Sequence, residues 1–156
     1  GMTTNAVLHL LADAGQLELV RVDPHLVPAV IEESLRLEPA AALVDRYATR
    51  DVKIGGAVIR AGDRVSVSLA AANRDPAVFD NPAEFDLDRP NSREHVAFSG
   101  GIHYCLRANL AKMGGATGLR LLFERFPDLQ VVPRSGVRRN LQALRGYETL
   151  PVRLAS

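Results

Sequence analysis

Residues 3–14, TTNAVLHLLADA, place Val7, Leu10, Leu11 and Ala14 at the three-and-four spacing of one helix face. Gly15 is positioned to end that helix. QLELVRVD predicts a short second helix, broken at Asp23 or Pro24. HLVPAVIEESLRL predicts a third, with Pro28 tolerable in its first turn and Glu38-Pro39 stopping it. The period then changes from helical to alternating. Residues 42–70, ALVDRYATRDVKIGGAVIRAGDRVSVSLA, are rich in Val and Ile and predict two or three short strands with a hairpin at Gly55-Gly56. Residues 73–97 have three prolines and many Asp and Asn, which predicts a long ordered loop of the kind that tends to be functional. Residues 105–126 predict a second long helix, weakened by Gly114, Gly115 and Gly118. The remainder reads as short strands and loops. The pattern implies one α+β domain over residues 1–156, mainly helical, with a small antiparallel sheet.

Composition narrows the classes. With 156 residues and 47% hydrophobic content, the chain can bury a single core, and wholesale disorder is excluded. Aromatics make up 5% and Trp is absent, so that core is mostly Leu, Val and Ala. A net charge of +1 argues against nucleic acid or a membrane surface as a general partner. No apolar run has the length of a membrane-spanning helix. The one cysteine forms no internal disulfide, which fits a reducing cytoplasm. Gly1 ahead of Met2 is read as a tag remnant, with Met2 either as the natural start or as an internal start within a longer gene product.

Three constellations could carry chemistry. Cys105, taken alone, reads as a small buried hydrophobe. Its setting, HVAFSGGIHYCLRANLAKM, adds a second reading. It lies where loop gives way to helix, with Gly100 and Gly101 permitting a tight turn and the close approach of a flat ligand. Phe98 can pack beneath such a ligand, and His103 can donate to an acidic group. One thiolate without a second Cys does not make a structural zinc site, but it suits the axial position of haem iron. In EESLR, Glu33 and Arg36 lie three apart on one helix face. On their own they read as a solvated pair worth little. Arg89, at the end of the 73–89 run of turns, could join them in a buried network. A fourth feature, Arg134, Arg138, Arg139 and Arg145, reads as a solvated basic loop.

Together these motifs resemble the cytochrome P-450 superfamily of haem-thiolate monooxygenases, in its bacterial soluble form. Phe98, Gly101, His103 and Cys105 match the family's Phe-x-x-Gly-x-His-x-Cys haem loop. Glu33-Ser-Leu-Arg36 matches its Glu-x-x-Arg helix, and Arg89 falls at the third member of that triad. The resemblance implies that Cys105 is the axial ligand of haem b, with His103 and Arg46 on its propionates. It covers only the C-terminal portion of such an enzyme, from the middle of the central helix onward, and on that alignment Thr3 would help deliver protons. The implied activity is monooxygenation of an organic substrate, with O2 and with electrons from a ferredoxin-type redox partner. Two positions depart from the pattern. Ser99 replaces a frequent glycine, and Arg107 replaces the glycine two after the cysteine, where a long side chain is expected to shift the site. Most of the substrate pocket is not encoded here. The alternative reading is therefore a truncated, inactive remnant that acts as a binding module. It would self-associate through Val7, Leu8, Leu10 and Leu11, the face expected to lack its partner helices.

Overall fold

The computed structural model describes residues 1–139, 141 and 143–154. Helix α1 (Met2–Ala12) and helix α2 (Ala14–Val22) are separated at Asp13 rather than at Gly15. The Asp13 carboxylate accepts from the amides of Gly15 and Gln16 at 3.0 and 3.1 Å, so it caps α2, and Gly15 sits in that helix's first turn. A three-ten turn, Pro24–Leu26, leads into α3 (Val27–Leu37), with Pro28 in its opening turn and Glu38 at its end.

Strands β1 (Leu43–Tyr47) and β4 (Arg64–Ser68) pair antiparallel, with Leu43 opposite Ser68 and Tyr47 opposite Arg64. Between them β2 (Val52–Ile54) and β3 (Ala57–Ile59) form the hairpin expected at Gly55-Gly56. Both glycines have positive φ, 54° and 85°, which suits the two-residue turn whose twist matches the strands. A single turn, α4 (Leu69–Ala72), opens the long loop, and α5 (Ala108–Arg125) follows it. Helix α5 starts three residues later than the pattern predicts, because the Cys105 segment is a turn. The tail carries β5 (Gln130–Val131), β6 (Val137–Arg138), β7 (Tyr147–Thr149) and β8 (Val152–Arg153). β5 pairs with β8 and β6 with β7, so the predicted small sheet is four separate two-stranded ladders.

The core lies where α1, α3 and α5 meet. Ala6, Leu10, Val30, Ile31 and Leu119 are essentially without exposure there. Gly115 sets the close approach of α5. A Cβ at that position would stand 2.5 Å from Met2 Cε and 3.3 Å from Ile31 Cδ1. The self-association face expected on α1 is not available. Val7 is 5% exposed and Leu10 0%, and Leu11 packs against the same core. Uncovered apolar side chains are scattered over α2, the hairpin and the tail, and a run of them lies on α5 and the loop before it. Ile102 is 97% exposed and Leu106 103%, with Leu110, Met113 and Leu121 also open.

Candidate haem-thiolate site

The loop from Val96 to Ala108 is shaped by its own backbone. Ser99 N–H donates to the Val96 carbonyl at 2.8 Å, and Ser99 takes φ 63° to close that turn. Gly101, at φ 58°, opens a three-ten turn through His103, and Tyr104 N–H donates to the Gly101 carbonyl. The chain then doubles back. Cys105 N–H donates to the Phe98 carbonyl at 3.0 Å, and the Cys105 carbonyl accepts from Ala108 N–H at 3.2 Å. The thiol is thus pinned between a tight turn and the first turn of α5.

This loop forms one wall of a cavity of about 400 Å³. Leu35 from α3, Val44 from β1, Leu69 from α4, and Ala97 with Phe98 give it an apolar lining. The polar residues lining it are Cys105, Arg46, Ser99 and His103. A soft sulfur donor on an apolar wall, with a guanidinium and an imidazole among the lining groups, is the donor set that a flat, iron-centred macrocycle with acidic side arms requires. These residues fit haem. Arg46 Nη1 donates to the Asp45 carbonyl at 2.8 Å, which holds its side chain beside the strand. Arg107 is exposed and is not among the cavity's lining residues.

Behind the cavity lies the polar network anticipated from EESLR, and it is not a solvated pair. Glu33 and Arg36 are fully buried, and Arg89 is 6% exposed. Arg36 Nε and Nη2 donate to Glu33 Oε2 and Oε1, each at 2.7 Å, and Arg89 Nε donates to Oε1 at 3.0 Å. The remaining Arg36 hydrogens are used as well, and most of those of Arg89. Arg36 donates to the carbonyls of Asn73, Pro82 and Glu84, and Arg89 to that of Asp80. One carboxylate and two guanidinia therefore clamp the 73–89 loop onto α3, with their donors matched to backbone acceptors.

Thr3 stands apart from this arrangement. It lines a separate groove with Leu122, Leu129 and Tyr147, and α1 turns Met2 rather than Thr3 toward the thiol cavity. Of the basic tail residues, Arg138 is held in place. It donates to Glu38 Oε1 at 2.6 Å and lies over the Tyr147 ring. Sequence reasoning missed Leu35, Val44 and Leu69 as lining residues. The signal for Val44 was present, since strand alternation puts it on the same face as Arg46. Also unanticipated was Glu38, whose carboxyl lies well below its ordinary range, at about 2. The His9 ring, whose Nε2 stands 3.5 Å from Glu38 Oε2, lowers it most, burial opposes that, and Arg138 lowers it further.

A thiol-bearing cavity with this donor set, on a fold of helices and short ladders, defines a haem-thiolate protein class. The cytochrome P450 family model matches residues 21–147, and the chain belongs to that family. It is similar to putative cytochrome P450 140 of Mycobacterium tuberculosis, at 47% identity over 96% of this chain and 34% of the relative. It is also similar to 6-deoxyerythronolide B hydroxylase of Saccharopolyspora erythraea, at 44% identity over 93% of this chain and 36% of the relative. Among solved structures, the tirandamycin C-bound P450 monooxygenase TamI superposes with a TM-score of 0.93 at 41% identity, covering 99% of this chain and 39% of the other. The chain thus spans little more than a third of the length of the relatives it matches. Haem b bound through a cysteine thiolate is the family's cofactor. No helix among the described residues is long and apolar enough to cross a membrane.

Proposed function

We propose that this chain is the thiolate-bearing portion of a P450 monooxygenase, and that Cys105 is its haem ligand. The observation that carries the reading is the single cavity in which the Cys105 thiol, Phe98, Arg46 and His103 converge. Bound there, haem would supply the activation of O2 for insertion of one oxygen atom into an organic substrate. The chain's own residues do the positioning. Cys105 is held by the Phe98 carbonyl, and Phe98 with Leu35, Val44 and Leu69 keeps water from one face of the ligand. Arg46 and His103 are the donors for the propionates. Electrons would come from a ferredoxin-type partner, and the location is cytoplasmic. The test is a visible spectrum of the protein made with haem supply, ferric and then reduced under carbon monoxide. A strongly red-shifted Soret band, lost in Cys105→Ala, is expected. A folded protein that takes up no haem overturns the reading.

A second reading has its own observation. The outer face of α5 carries Leu110, Met113 and Leu121 uncovered, with Leu106 beside them in the turn before it. In this reading the chain is a catalytically silent module that associates with a second copy through that face. Sedimentation velocity separates the two. A homodimer without haem supports the module, and a haem-loaded monomer rejects it.

A further inference from the structure

A buried ionisable cluster lies behind Phe98, and the proposed chemistry leaves it without a task. His95 has a side chain 2% exposed, and its Nε2 is 3.1 Å from Glu32 Oε2 on α3. The same Glu32 oxygen is 2.9 Å from Lys112 Nζ on α5. His95 Nδ1 accepts from Ala97 N–H at 3.2 Å, so the proton of the neutral ring is on Nε2 and is donated to Glu32. The amide before it is also fixed, because Val96 N–H donates to Asn73 Oδ1 at 2.8 Å.

Each member of the cluster except Glu32 touches Phe98. The His95 ring is tilted against it at 6.1 Å, and Lys112 Nζ stands 5.6 Å over its face. Phe98 in turn holds Cys105 through its carbonyl. We propose that Glu32, His95 and Lys112 are positioning residues for Cys105: they lock Phe98 from α3 and α5, and Phe98 fixes the backbone that presents the thiol. The inference deepens the reading that Cys105 is the working group of the site and rests on it. It does not require haem to be bound.

The arrangement also has a sign in pH. While Nδ1 is unprotonated it can accept from Ala97. When the ring takes a second proton, Nδ1 becomes a donor facing a donor, and the turn before Phe98 must open. Among the described residues, Glu32 and Lys112 are the charged groups paired around the ring, and they act on the imidazolium in opposite directions. Tightening therefore belongs to the neutral ring, and loosening to acid.

Cys105 is the one thiol of the chain, so its alkylation by iodoacetamide reads this site alone. Rates are measured on the full chain without haem and corrected for thiolate fraction, beside thermal melting. His95→Leu should raise the corrected rate about tenfold, the change expected for loss of one net hydrogen bond. His95→Gln retains an acceptor and a donor but no titration. It should restore the wild-type rate and lack the acid-side rise expected of the wild type. If His95→Leu fails to fold, Lys112→Met, which removes the cation over Phe98, should raise the rate by about threefold. Unchanged rates in the folded variants, or an acid-side rise that persists in His95→Gln, would overturn the proposal. Absence of a Soret shift in the haem experiment would leave these rates unaffected, so the two readings fail separately.

Discussion

The two faces of the helical layer invert the usual rule of burial. Where α3 meets the 73–97 loop, Glu33, Arg36 and Arg89 are buried, three formal charges away from water. On the outer side of α5 and in the turn before it, Leu106, Leu110, Met113 and Leu121 are left in it. The first arrangement is tolerable because the charges are paired and their donors reach backbone carbonyls. The second has no such compensation. The fold is therefore closed on its α3 side and open on its α5 side. That agrees with a chain spanning about a third of the length of relatives that share its architecture.

Breaking the closed side gives the largest effect. Glu33→Ala leaves two buried guanidinia facing each other without a carboxylate, and it should cost about 3–5 kcal/mol. Urea denaturation measures it. A loss under about 1 kcal/mol would mean that water reaches the network and that the contrast between the faces is illusory.

Acid attacks a neighbouring part of the same side. Glu38 joins α1 through His9 and the tail through Arg138. Its carboxyl is held down at about 2 in the folded protein, against an unfolded value near 4.5. A carboxylate depressed in this way adds stability that is fully present above the unfolded value and is lost as pH falls through the folded one. Stability should therefore fall by up to about 3 kcal/mol between about pH 5 and 2 from this group alone. In Glu38→Gln that component of the acid slope should vanish. An unchanged slope would assign the acid sensitivity to other carboxylates.

Much of the closed side was legible in the sequence, and little of the open side was. Glu33 and Arg36 have helical spacing, and Arg89 ends a run of turn residues, so their meeting could be anticipated from local rules. The Cys105 setting was legible for the same reason, because glycines, a histidine and a cysteine within eight residues constrain each other locally. Which helix face lacks cover is a property of the tertiary assembly. Val7 and Leu10 have the same pattern whether or not α3 and α5 cover them, and the pattern alone put the open face on α1. The α2 boundary was lost for a smaller reason. Gly15 is a stop signal by propensity, but the Asp13 side chain two residues earlier caps a new helix and overrides it.

Two substitutions with smaller effects sharpen the contrast. Ser99 holds φ 63° with an ordinary side chain, a conformation that costs about 1 kcal/mol relative to glycine. Ser99→Gly should raise stability by about that amount in urea denaturation, while it removes the Ser99 side chain from the lining of the thiol cavity. On the open face, a Cβ at Gly118 would meet nothing within 4 Å. There Gly118→Ala should stabilise α5 by about 0.5–1 kcal/mol, because alanine gives up less backbone freedom in a helix. The gain should hold in dilute protein, where the face is bare. If self-association covers it, the gain should shrink or reverse as concentration rises, since the added methyl would then stand where a partner must approach. A gain of equal size at every concentration would mean that α5 remains uncovered, and that the open side is simply a surface.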